Sequence, residues 1–155
     1  MNFKDLISKY KTKYPKNNIF NLRKGQRITE LTRGNKFPPN EPGVYIIYGC
    51  KKRKKKVLYI GKAGTFYKDN KDGPFSKQKL QKRLIKGKRT LHQKRVGASE
   101  FYRKLLKGHD FLKFYWFVTY DIENKIETHS SFAEAELLQA YFKEKHDLPE
   151  YNREF

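Results

Sequence analysis

Apolar and polar positions along this chain change period several times, and each change marks an element. Phe3, Leu6, Ile7, Tyr10 and Tyr14 recur at helical spacing and predict a short amphipathic helix over residues 3–14, ended by Pro15. Residues 15–42 are polar and interrupted by Gly25, Gly34, Pro38, Pro39 and Pro42, which reads as an extended arm or loops packed on a domain. Two β-rich runs, 43–49 and 56–60, flank a charged turn and predict a hairpin. A loop follows over 62–75, with DNKDGP as its turn chemistry. Ser76 precedes KQKLQKRLIKG, in which Leu80, Leu84 and Ile85 form a helical face and Gly87 a stop. Ser99 opens a second helix that buries Phe101, Tyr102, Leu105 and Leu106.

The strongest strand is FLKFYWFVTYD, 111–121, where Leu112, Phe114, Trp116 and Val118 alternate with Lys113, Tyr115, Phe117 and Thr119. A last helix begins at Ser130 or Ser131 and runs through FAEAELLQAYFKEK, and the chain closes with LPEYNREF. This order predicts an α+β fold: a small three-stranded antiparallel sheet, made of the N-terminal hairpin and the central strand, flanked by helices. Residues 1–42 form its helix and arm and residues 43–155 its functional domain, within one compact unit; 155 residues suffice for a single core.

Charge narrows the partners. Lysine and arginine number 36 against 16 acidic residues, a net charge of +20 spread along the whole chain, and such a field attracts polyanions. Nucleic acid is the first candidate, because counterion release gives sequence-independent affinity and 15% aromatic content exceeds that of a disordered basic tail. An anionic membrane surface is the second. The N-terminus MNFKDLISKYKTKY has no apolar core and no later run approaches bilayer length, so a soluble protein without a membrane partner is expected. Cys50 is the single cysteine; it forms no intrachain disulfide, offers no paired thiol for zinc, and fits a reducing cytoplasm.

The candidate chemistry starts at the hairpin. With its turn centred on Lys52, Tyr45 lies directly opposite Tyr59 and two phenols point into one small volume. Gly61 leaves room there for a ligand backbone, and Lys62 follows at the rim. Taken alone, the pattern is explained by half-buried tyrosines and a solvated lysine turn.

Gly43-Val44-Tyr45 followed by Tyr59-Ile60-Gly61 resembles the paired signature of the GIY-YIG nuclease family, with valine for isoleucine in the first triplet. LQKRL supplies an arginine, the last helix a glutamate near its start, and LPEYN a terminal asparagine, in the family's order over roughly residues 43–152. The resemblance implies a GIY-YIG-like fold and a DNA endonuclease that uses one divalent cation, magnesium or manganese, and no small-molecule cofactor. It further implies that Tyr45 or Tyr59 takes a proton from water or positions it, helped by a cation that lowers the phenol pKa, Lys62 or the metal's hydration shell being candidates. Arg83 would fork onto the scissile phosphate, with Arg89 and Arg95 as substitutes because the segment from Lys62 to Arg83 is longer than in the shortest members. Glu134 would hold the metal and Asn152 would brace the site.

For the glutamate the residues leave alternatives. Glu134 falls in the stripe of Leu137, Leu138, Tyr141 and Phe142, whereas Glu136 points roughly opposite. Ser131 to Glu134 also has capping-box spacing, and a registration from Asn152 backward puts Gln139 at the metal position. The basic stretch KGKRTLHQKR, 86–95, adds Lys88, Arg89, His92, Lys94 and Arg95 as nucleic-acid contacts, His92 being equally a solvated loop residue. Against the nuclease stand a binding module with the same fold that does not cut and a basic ribosome-associated protein. A standalone restriction-type enzyme, a repair enzyme and a mobile-element enzyme all fit, as monomer or homodimer.

Overall fold

The computed structural model describes residues 1–66, 79–89 and 95–153. Asn2 opens the first helix, α1 (Phe3–Lys13), by accepting a 2.8 Å hydrogen bond from the Asp5 amide. The chain continues through β1 (Asn17–Arg23), a 3-10 turn (Ile28–Leu31), β2 (Gly43–Lys51), β3 (Lys54–Ala63) and α2 (Leu80–Lys86). It then forms β4 (Lys88–Arg89), β5 (Arg95–Val96), α3 (Ala98–Leu106), β6 (Phe111–Val118), β7 (Tyr120–Asp121), β8 (Ile126–Glu127) and α4 (Ser130–Lys145).

The main sheet has four strands in the order β1-β6-β2-β3, all antiparallel, and two small ribbons, β4-β5 and β7-β8, lie apart from it. This corrects the expected single three-stranded sheet. The additional strand, β1, lies in the segment read as an arm, because NNIFNLR turns only Phe20 and Leu22 onto one face among three asparagines. An edge strand needs no more: it pairs on one side only, here with β6 from Asn17↔Phe117 to Arg23↔Phe111.

Helices cover both faces. On one, Tyr45, Ile47, Tyr59, Phe20, Phe114 and Trp116 pack under α2 and α3; on the other, Val44, Ile46, Ile60, Tyr115 and Phe117 pack under α1 and α4. Hence β6 is buried on both sides, and the alternation read in its sequence separates two cores rather than core from solvent. Gly43 is required where β2 starts, since a Cβ there would sit 2.1 Å from the Phe117 carbonyl oxygen.

The chain closes both edges of the sheet with its own amides. On β1, the Ile19 N–H donates to Asn18 Oδ1 at 2.8 Å and the Arg23 N–H to Gln26 Oε1 at 3.1 Å. On β3, the Tyr151 N–H donates to the Leu58 carbonyl at 3.0 Å, and the Asn152 amide both accepts from Ile60 N–H and donates to Ile60 C=O, each at 2.8 Å. No helix among the described residues is long and apolar enough to cross a membrane.

Because α1 and β1 complete both the sheet and one core, deletion of residues 1–24 is expected to abolish the cooperative thermal unfolding transition. A deletion variant that melts like the full chain would make the segment an independent arm.

Candidate active site

The β2–β3 hairpin turns through two residues, Lys52 and Arg53, with Lys51 paired to Lys54. Continued regularly from that turn, the pairing would set Tyr45 against Ile60 and send Tyr45 and Tyr59 to opposite faces. Instead the register slips by one between Ile47↔Tyr59 and Tyr48↔Val57, leaving Leu58 as the extra residue of a β-bulge. Beyond the slip Tyr45 pairs with Gly61 and Ile47 with Tyr59. The tyrosines therefore share a face as diagonal neighbours, correcting the directly opposed pair expected from a turn centred on Lys52. Their ring centroids lie 5.9 Å apart.

Gly61 has a definite steric reason. A Cβ there would come within 2.6 Å of both the Tyr45 and the Tyr59 rings. The room expected to admit a ligand backbone is thus filled by the tyrosines. Lys62 pairs with Val44, whose side chain belongs to the face under α1 and α4, so Lys62 does not share the tyrosines' face.

The two phenols, Arg83 of α2 and Glu134 of α4 form one electrostatic group. Burial, the largest effect, pushes Tyr45 up to about 12; Arg83 pulls it down, Glu134 pushes it up, and a hydrogen bond from Tyr59 pulls it down. Tyr59 is raised well above its ordinary value by burial, then by Tyr45 and Glu134, against the pull of Arg83. A hydrogen bond links the two phenols, lowering Tyr45 and raising Tyr59. The expectation of a lowered phenol is therefore reversed in the protein alone: Arg83, not Lys62, is the cation that acts on both phenols, and desolvation outweighs it.

Arg83 is half-buried, and its Nε is buried with no hydrogen-bond partner among the described residues. The helix that carries it is fixed from two sides. Asn40 Oδ1 accepts from the Lys79 and Lys82 amides at 3.2 and 3.3 Å, and the Tyr102 hydroxyl donates to the Leu84 carbonyl at 2.5 Å. Phe101, beside Tyr102 on α3, meets the Tyr59 ring edge-on at 5.4 Å. The sequence marked Phe101 and Tyr102 only as core, and their helical spacing holds no signal that they support a site.

On α4 the geometry separates the two glutamates. The buried stripe is Ala133, Leu137, Leu138, Ala140 and Tyr141, while Phe142 is exposed; at about 100° per residue Glu134 falls within it, between Tyr141 and Leu138, and Glu136 at its edge beside Ala140, which corrects the placement of Glu136 on the opposite side. Glu136 accepts a 2.6 Å hydrogen bond from the Tyr10 hydroxyl of α1, and Glu134 acts on the phenols. The helix begins at Ser130 with His129 as its cap residue and no side-chain cap bond, so Ser131 stands inside the first turn and no Ser131–Glu134 box forms. Gln139 is exposed.

Of the remaining candidates, Lys88 and Arg89 form β4 and pair with β5, in which Arg89 is set against Arg95. His92 and Lys94 lie outside the described residues, as do Ser76 and DNKDGP.

Among the described residues no three His, Cys, Asp or Glu side chains gather as a metal cluster. A cation held here would have Glu134 as its protein ligand, with water and phosphate oxygens completing the shell, an arrangement that suits magnesium. The donor set fits such an ion. No protein-family model, curated protein or solved structure matches the chain.

Replacing Gly61 with alanine is expected to displace the two rings and cost about 1–3 kcal/mol of stability, read by denaturant unfolding; an unchanged midpoint would contradict the close approach. The raised phenols also set a pH window. Their stabilising contribution is complete below the unfolded tyrosine value of about 10 and is lost as pH rises through the folded value of about 12 for Tyr45. Tyr45→Phe should accordingly flatten the fall in stability between those limits.

Proposed function

We propose that the protein is a divalent-metal-dependent DNA endonuclease of GIY-YIG type that hydrolyses phosphodiester bonds. One observation carries the reading: Arg83 and Glu134, from two helices, each act electrostatically on both Tyr45 and Tyr59, from two strands, in a chain of net charge +20.

Hydrolysis needs an oriented water, neutralisation of the charge that develops on phosphorus-bound oxygens, and a place for the proton. Arg83 suits the second task, because its planar guanidinium spans two phosphate oxygens and its Nε meets no acceptor among the described residues. Glu134 would hold the cation, which when bound supplies further neutralisation of the phosphoryl oxygens. Tyr45 is the better proton acceptor of the two phenols, since Arg83 leads the effects that oppose burial there and its hydrogen bond with Tyr59 favours its ionised form. Tyr59 then orients Tyr45. Asn152 holds the strand segment between Tyr59 and Gly61 through its paired bonds to Ile60. A restriction-type, a repair and a mobile-element role would all use this chemistry.

A second reading, a basic nucleic-acid-binding module that does not cut, draws on the upward shift of both phenols, which leaves them protonated at neutral pH.

Supercoiled plasmid incubated with magnesium, manganese or chelator separates the two. Metal-dependent nicking or discrete fragments are expected, abolished by Glu134→Gln with DNA binding retained, and reduced about 100-fold or more by Arg83→Ala. Cutting by the Glu134 variant at the wild-type rate would refute the assignment, and binding without cutting under every metal would favour the module.

A further inference from the structure

We infer that the tip of the β2–β3 hairpin is a second nucleic-acid contact, gripping the duplex backbone at a distance from the phosphate held at the tyrosines. The inference rests on the proposed function for its partner, not for cleavage.

Residues 51–56 are six consecutive cations, all exposed. Lys56 pairs with Glu150 at 3.0 Å, and Lys55 lies over the Tyr48 ring at 4.8 Å. Lys51, Lys52, Arg53 and Lys54 enter no ion pair among the described residues. The nearby carboxylate, Asp110, accepts from the Lys52 backbone N–H at 2.8 Å, while the Asp110 N–H donates to the Cys50 carbonyl at 2.7 Å. These bonds pin the tip to the start of β6, so the four cations project from an anchored support.

The backbone adds an independent observation. Lys52 has φ of 56°, a left-handed conformation that glycine or asparagine adopts with less strain than a residue with a long side chain. The turn therefore carries a lysine at the position where a purely structural turn would favour another residue, inside a run whose like charges repel. A polyanion relieves that repulsion.

The run contains no apolar side chain, so it lacks the buried face with which a membrane-surface element enters lipid. Along β3 the tip stands seven residues from Gly61, about 20 Å at strand rise. That spans roughly six base pairs of duplex at about 3.4 Å each.

The test compares Lys51→Gln, Lys52→Asn, Arg53→Gln and Lys54→Gln together against a control with Lys4, Lys9, Lys143 and Lys145, exposed on α1 and α4, each changed to glutamine. Binding to a blunt DNA duplex is followed by fluorescence anisotropy across a salt series. The tip variant should flatten the dependence of log affinity on log salt by about 0.9 for each phosphate it no longer neutralises, two or more phosphates in all, and the control by less than one. Its melting temperature should be unchanged or higher, because Lys52→Asn relieves the turn, so weaker binding cannot be assigned to misfolding. Equal slopes for tip and control, or a tip slope like that of the wild type, would overturn the contact. So would loss of binding to phosphatidylserine vesicles with duplex binding intact. A wild type that binds but never cuts removes the nuclease reading and leaves the tip contact standing; one with no salt-dependent duplex binding removes both.

Discussion

Between the Tyr48↔Val57 and Ile47↔Tyr59 pairs the hairpin gains one residue, and the candidate site depends on that slip. Strand side chains alternate with a period of two, so a single inserted residue moves everything beyond it to the other face. Leu58 is that residue, and it does not bulge into solvent: its side chain is fully buried, and its carbonyl accepts the Tyr151 amide. The C-terminal segment thus fastens the strand at the irregularity itself, and Asn152 fastens it again two residues on. Gly61 completes the arrangement by leaving the rings space to converge.

Converging phenols in a dry pocket carry an electrostatic penalty that the protein only partly offsets. Arg83 pulls both phenols down, but burial and Glu134 push them up, and the balance for each is upward. The same carboxylate that makes a cation welcome makes a phenolate unwelcome in its absence. Ionisation of Tyr45 is therefore coupled to whatever positive charge enters beside it, and in the protein alone the phenol is protonated.

Much of this is legible in the sequence because periodicity reports burial directly. The hairpin, the strand at 111–118 and the helices α1, α3 and α4 follow from spacing alone. The fourth strand does not, since β1 contributes few inward apolar residues and takes its pairing from β6, a partner remote in sequence. Residue order points to Tyr45, Tyr59, Arg83 and Glu134, yet the face the tyrosines share does not follow from the position of the turn, because Leu58 looks like any other strand residue. Spacing sets Glu134 apart from Glu136, but what engages Glu136 is not legible in it, because that partner is Tyr10, more than a hundred residues away.

The amides that terminate the sheet govern how copies of the chain can associate. Asn18 and Gln26 take up the Ile19 and Arg23 N–H groups of β1, and Tyr151 with Asn152 takes up Leu58 and Ile60 of β3, so strand addition is opposed at those positions. Two copies of the chain would accordingly meet more readily through side-chain surfaces than by strand addition at those positions.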